Sequence, residues 1–231
     1  MDTLQNPTEI RQVSGFDQVS LRSQHENHLA IRQGARESLT IQAPAEILTR
    51  IQSRVAQGRL TISLQGDWPA RIRDALTTSL TRPRIHYRLC VKNLSLLEIY
   101  AMADVRIGSL EAQELQIKYN GMGLMTIDDL VAGELIVEIN GAGRIKLNGR
   151  VQDQKITVNG LAEYDAGALE SQRATILLRS PGTAKLWATD QLRVDIRGPG
   201  SVSYYGSPQI HKRISPVGSL IALGTPQAAP K

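Results

Sequence analysis

Between Leu97 and Tyr204 a single pattern recurs: apolar-x-apolar, one polar residue, small-x-small, then apolar-x-apolar again. Its clearest copy runs Val137-Glu138-Ile139-Asn140-Gly141-Ala142-Gly143-Arg144-Ile145-Lys146-Leu147. Five other copies align with it, and the first small residue of each falls at Ala101, Gly121, Gly141, Gly160, Ser180 and Gly198. The steps between these positions are 20, 20, 19, 20 and 18 residues. Self-similarity at so steady a period is the mark of a solenoid, in which each repeat buries its apolar face only by stacking on its neighbours.

Stacking the copies gives columns of uniform character, as inward-facing positions require. Leu97, Ile117, Val137, Ile156, Ile176 and Val194 form one column, and Ile99, Tyr119, Ile139, Val158, Leu178 and Ile196 form the next. Two more follow the small-x-small corner, led by Val105 and Ile107, while a third apolar spot (Leu110, Leu130, Val151 and Leu169) is less regular. Twenty residues at about 3.3 Å each are too few for a hairpin pair buried on both sides but suit one turn of a parallel β-solenoid with three short faces. Six coils spaced by about 4.8 Å predict a body on the order of 29 Å long, before the N-terminal strands are added. Glycine at the corner fits a bend that needs positive φ or has no room for a side chain.

The flanks read as caps. Residues 1–12 are polar and are expected to form a flexible leader. Strand-like text covers Val13 to Leu21, Leu29 to Ile31, Leu39 to Ile41, Ile47 to Val55 and Leu60 to Leu64, with a turn at His25-Glu26-Asn27-His28 and another at Gln57-Gly58. Residues 66–84 interrupt the pattern with a basic insert bearing Arg71, Arg73, Arg82 and Arg84, and 224–231 read as a disordered tail. The solenoid domain thus spans 13–223.

Composition narrows the chemistry. Hydrophobic residues make up 41% of the 231 positions and aromatics only 4%, so the core is built from Ile, Leu and Val, which favours stacked strands. The net charge of +5 is spread without long basic runs, which argues against nucleic acid as partner. Cys90 is the single cysteine, so neither an intrachain disulfide nor a cysteine-based zinc site is expected. No apolar window reaches the roughly 18 residues of a membrane span, and no signal peptide is visible at the start of the chain.

Outward columns carry the candidate sites. Lys118 lies between Glu98 and Glu138 on adjacent coils, a charge-pairing column, and Lys146, Asp165 and Lys185 alternate in the same way. Before the corner, Asn120, Asn140 and Asn159 stack as an amide ladder beside the corner glycines Gly121, Gly141 and Gly160, and the column continues with Arg179 and Arg197. A further column, Asp128, Asn148, Gly167, Trp187 and Tyr205, places two aromatic rings on neighbouring coils. With both rings exposed, Trp187 and Tyr205 would offer a flat platform for a sugar ring or a protein, with Arg179 and Arg197 as polar or anion-binding partners. No column collects acids in the manner of a polysaccharide-cleaving site, and no catalytic or metal-binding set is assigned. His25 with His28 lacks a third ligand, and His86 with Cys90 on one strand face lacks an orienting group.

Taken in order, Phe16-x-x-Val19, the Asn-Gly-x-Gly corners at Asn120 and Asn140, Arg197-Gly198-Pro199-Gly200-Ser201-Val202 and the closing Tyr205-Gly206-Ser207-Pro208 resemble the auto-transporter adhesin head domain family, also called the GIN domain. The resemblance covers about Val13 to Leu223. It implies an all-β, single-stranded, right-handed parallel β-helix, bacterial and at the cell envelope (periplasmic or extracellular), without enzymatic activity or cofactor. The expected partner is a glycan or a cell-surface protein. A self-associating structural module, and hence a homo-oligomer, is the alternative, and a polysaccharide-degrading enzyme ranks below both. The basic insert and the weakened corner at Ser180-Pro181-Gly182 depart from the family pattern. With no export signal in view, the residues alone leave a cytoplasmic location open.

Overall fold

The computed structural model describes residues 6–64 and 84–226. Nearly all of them lie in strands of one 14-stranded sheet wound into a parallel β-solenoid of about 6 turns with roughly 20 residues per coil. The repeat region forms β7 (Leu96–Tyr119), β8 (Met122–Ile139), β9 (Ala142–Val158), β10 (Ala162–Leu178), β11 (Thr183–Ile196) and β12 (Ser201–Tyr205), each pairing in parallel with the next. The strands are long because the chain keeps extended geometry as it bends round the coil. The final coil is completed by β13 (Gln209–Ile214) on β11 and β14 (Ser219–Ala222) on β12.

The two strongest sequence columns are pairing columns. Val137 sits between Ile117 and Ile156, and Ile139 between Tyr119 and Val158, all buried. Tyrosines tolerated in the core find oxygen: the Tyr119 hydroxyl lies 3.4 Å from the Ala103 carbonyl. The third column is corrected by the register. Gly149, at φ 123°, aligns with Leu130 and Leu169, while Val151 aligns with Ala132 and Ser171. A Cβ on Gly149 would stand 2.2 Å from the Leu130 carbonyl oxygen, so this coil gives up its leucine there.

The N-terminal end is built differently. The first coil is β2 (Gln18–Gln33), which pairs with β7 on one side. On its other side β2 carries β5 (Arg59–Leu64) and β6 (Arg84–Val91), and β3 (Ser38–Gln42) adds to β6 antiparallel. A hairpin joins β4 (Ile51–Ala56) to β5 through Gln57 and Gly58, both at positive φ (51° and 74°), the geometry a two-residue turn matches to twisted strands. Chain direction thus reverses at this end, and the core columns are closed by antiparallel strands.

Several expectations for the flank are corrected. Within the stretch read as a flexible leader, Thr8–Arg11 forms β1, antiparallel to β3. The Arg11 guanidinium locks it by donating to the carbonyls of Ile51 (2.6 Å) and Leu48 (3.2 Å). One polar strand of four residues has no periodicity to announce it. The segment from Ile47 begins as a helical turn, α1 (Ala45–Leu48), after Pro44, and only then enters β4. His25 lies within a register shift between Arg22 and Glu26, and Asn27 and His28 just after it, all inside β2, so they form no turn between strands. The basic insert, apart from Arg84, and residues 227–231 of the tail lie outside the described residues.

Two substitutions test this stacking by chemical denaturation. Ile139→Asp places an unpaired charge in the dry column and is expected to unfold the central coils, costing several kcal/mol, whereas Glu138→Gln on the opposite face is expected to be nearly silent. Gly141→Ala is expected to lose about 1–3 kcal/mol by overpacking, because its Cβ would stand 1.8 Å from the Gly121 carbonyl oxygen.

Candidate functional site

One corner of the solenoid gathers most of the candidate residues. Here the chain turns so tightly that successive backbones touch: a Cβ on Gly121 would lie 1.9 Å from the Ala101 carbonyl oxygen, and one on Gly160 1.9 Å from that of Gly141. Neither residue needs positive φ, so lack of room is what selects glycine. Just before the corner the amide side chains hydrogen-bond in series. Asn140 Nδ2 donates to Asn120 Oδ1 at 2.8 Å, and Asn159 Nδ2 to Asn140 Oδ1 at 2.7 Å. Arg179 takes the next rung, donating to Asn159 Oδ1 at 3.2 Å. Neutral bonds of this kind contribute about 0.5–1.5 kcal/mol each.

Beside the ladder runs an open groove of about 530 Å³, floored by Ala101, Gly121, Gly141 and Gly160 and edged by Tyr100, Met122 and Leu161. Met122 is 50% exposed and Leu161 67%, so these side chains belong to the surface and not to the core. A second groove of about 610 Å³, lined by Leu124, Arg144, Glu163 and Pro181 among others, meets the first at Leu161. Its two charges are paired with each other at 2.6 Å. Together the grooves follow the corner from Tyr100 to Thr183. One face of Tyr100 is taken by the Arg22 guanidinium, 4.6 Å from the ring centre.

The aromatic pair is not the exposed platform expected. Trp187 and Tyr205 are register neighbours, but both are half-buried. The Tyr205 ring and the Lys185 side chain both lie over Gly167, the ring within 3.2 Å and the Lys185 stem within 2.7 Å of where a Gly167 Cβ would be. The alignment also shifts: Trp187 pairs with Glu170, because the chain bulges between Asp165 and Glu170. Arg179 and Arg197 lie before β11 and β12, whereas Trp187 lies inside β11 and Tyr205 at the end of β12. The four residues are therefore not one site.

Around Asp195 the surface is basic. Arg197 donates to its Oδ2 at 2.8 Å, and this bond, with the nearby charges of Arg197, Arg213 and Arg179, holds the carboxyl below the usual aspartate range. The Lys118 column is paired on one side: Lys118 reaches Glu98 at 3.5 Å, while Glu138 accepts from Asn140. Glu98 is buried and also receives Arg59 of the hairpin at 3.3 Å.

Two polar clusters escaped the sequence. Gln154 is 1% exposed in the column of Leu135 and Ala174. It donates to Ser171 Oγ at 2.7 Å and accepts from the Tyr164 hydroxyl at 3.2 Å, while Ser171 donates to the Trp187 carbonyl. The signal was present as a polar residue in an apolar column, hidden by the misaligned corner. His28 stacks on His86 of β6, ring centres 4.8 Å apart, with Asp104 3.8 Å from its Nδ1. Partial desolvation of the ring first, and then the charges of His28, Arg88 and Arg84, lower the His86 pKa. His86 is exposed and Cys90 buried, so they do not form a reactive pair. Among the described residues no group of three His, Cys, Asp or Glu side chains could hold a metal ion, and no helix is long and apolar enough to cross a membrane.

A glycine-cornered parallel solenoid with an amide ladder and an open groove defines a surface-presenting repeat protein. The family model "Putative auto-transporter adhesin, head GIN domain" matches residues 15–208, and the chain belongs to that family. Its fold is shared by solved structures of bacterial proteins. A protein of Bacteroides fragilis, described as "a putative adhesin", superimposes with a TM-score of 0.78 at 22% identity over 96% of this chain and 95% of its own. A Parabacteroides merdae protein with the same description gives 0.67 at 16% identity, covering 96% and 97%. One from Parabacteroides distasonis, described as a "putative lipid binding protein", gives 0.64 at 17% identity and 96% of both chains. A comparison with curated proteins finds no match.

The buried network yields a stability test. Gln154→Ala strands the Tyr164 hydroxyl and opens a cavity, with an expected loss of about 1–3 kcal/mol, while Gln154→Leu restores the apolar column and should cost less. Urea unfolding of both variants checks the order.

Proposed function

We propose that this chain is a non-catalytic, adhesin-like module of the bacterial cell envelope, and that the corner groove is the face it presents to a protein on another surface. The observation that carries this reading is the placement of Tyr100, Met122 and Leu161 outside the core, along one continuous groove. Solvated apolar side chains gathered in this way have an unfavourable contact with water that a partner removes. Methionine suits such a surface because its flexible thioether adapts to different shapes. The ladder amides are engaged with one another, which leaves shape and apolar contact as the main source of affinity. Family membership supports the envelope location and the adhesive role.

A glycan-binding reading rests on Trp187 and Tyr205 with Arg179 and Arg197. The half-burial of the two rings and their separation from the arginines favour the groove instead. Self-association through the solenoid ends is the structural alternative.

Beads coated with the protein and offered to cell monolayers separate these readings. Adhesion is expected to fall to background in a Met122→Glu, Leu161→Glu double variant and after protease treatment of the cells, and to survive in a Trp187→Ala, Tyr205→Ala variant. Adhesion lost only in the aromatic variant, together with the same loss on a glycan array, would reassign the site to a sugar. Growth of particle size in a light-scattering concentration series would favour self-association.

A further inference from the structure

The two ends of the solenoid are finished differently, and among the described residues no strand covers the C-terminal one. The N-terminal columns are closed by β3, the hairpin and β1, whereas among the described residues β13 pairs only with β11 and β14 only with β12. The apolar columns run straight into this last coil: Ile210 continues Leu192, Ile214 continues Ile196 and Leu220 continues Val202. Most of β13 and β14 is exposed, with Ile221 at 50% and Val217, in the link between them, at 67%. A solenoid end needs a polar cap, and an edge strand with free N–H and C=O groups is a template for another strand.

The direction of the free groups follows from the pairing. Ser215 N donates to the Ile196 carbonyl at 2.8 Å, so alternation turns the N–H and C=O of Ile210, Lys212 and Ile214 away from β11. Charge then selects among occupants. His211, Lys212 and Arg213 are consecutive and exposed on this edge, beside Arg193 and Arg197. The one aspartate among them, Asp195, is already held by Arg197. Lys212 also takes the position that Val194 and the residues before it fill with apolar side chains. A second copy meeting this edge with its own β13 sets like charges opposite each other, and one meeting it with β4 brings Arg54 against the same cluster.

We infer that β13 is a docking edge for an extended acidic strand of a partner protein, which adds to the sheet by backbone hydrogen bonds at Ile210, Lys212 and Ile214. Carboxylates of the incoming strand pair with His211 and Arg213 on the outer face, and its apolar side chains cover the end of the core beside Ile210 and Ile214. This edge is separate from the corner groove, and either surface can fail while the other stands.

The test uses a fluorescent peptide alternating valine with glutamate, its valine–lysine counterpart, and the full chain, read by anisotropy. The glutamate peptide is expected to bind at least about tenfold tighter than the lysine one. Lys212→Pro removes an outward N–H without touching the bonds to β11 and is expected to abolish binding with an unchanged far-UV spectrum, whereas Arg213→Gln only weakens it. Should the proline variant misfold, a His211→Glu, Arg213→Glu double variant serves instead, and its preference is expected to invert. Equal affinity for the two peptides, or no inversion, overturns the proposal. So does binding to phosphatidylglycerol vesicles without binding to the peptide, which would assign the patch to a membrane. Dimer formation in light scattering that Lys212→Pro removes would make the occupant a second copy and overturn it as well.

Discussion

Backbone contact between successive coils at one corner is the constraint on which the rest depends. Parallel strands lie about 4.8 Å apart, and at this corner the chain turns while keeping that spacing, so the residue at the bend faces the carbonyl of the coil before it. Gly121, Gly141 and Gly160 occupy those positions, and the space a Cβ would need is filled by backbone oxygen. Once these points are pinned, the flanking apolar pairs fall into register without further instruction. The asparagine ladder is the polar counterpart, repeating one hydrogen bond at the same step.

The same constraint separates structural residues from available ones. Side chains in the inward columns and amides in the ladder are satisfied by identical neighbours above and below. What is left for recognition lies where the repeat departs from its rule. Met122 and Leu161 stand exposed beside the corner, Lys212 ends an apolar column with a charge, and Gln154 places an amide in the core. The last departure is absorbed internally through Ser171 and Tyr164, whereas the first two are turned to solvent.

The ends of the array illustrate a second principle. A stack of parallel coils has no intrinsic reason to stop, and each end exposes the core columns and a row of backbone groups. At the N-terminus the chain solves this within itself by reversing direction through β3, a hairpin with two residues at positive φ, and the arginine-locked β1. At the C-terminus the described residues end on exposed strands whose basic side chains discourage pairing with a like edge. Among the described residues, the asymmetry leaves one pole closed and the other open.

The sequence by itself determined the fold class, the coil length and the inward columns, because each coil repeats the same test and an error in one copy shows against the others. Lys118 with Glu98, and the order of asparagines before the corner, were legible for the same reason. Tertiary structure decided the rest. The corner after Leu147 varies in length between coils, so counting residues misplaced Val151 and gave Trp187 the wrong neighbour, and the half-burial of Tyr205 reflects a ring lying over Gly167, where no side chain stands in its way. The β1 strand, a single polar copy without a period, could be seen only once its partner was in place. Periodicity encodes what every coil shares, while the groove, the open pole and the buried amide arise from contacts between positions that differ, and those no repeat announces.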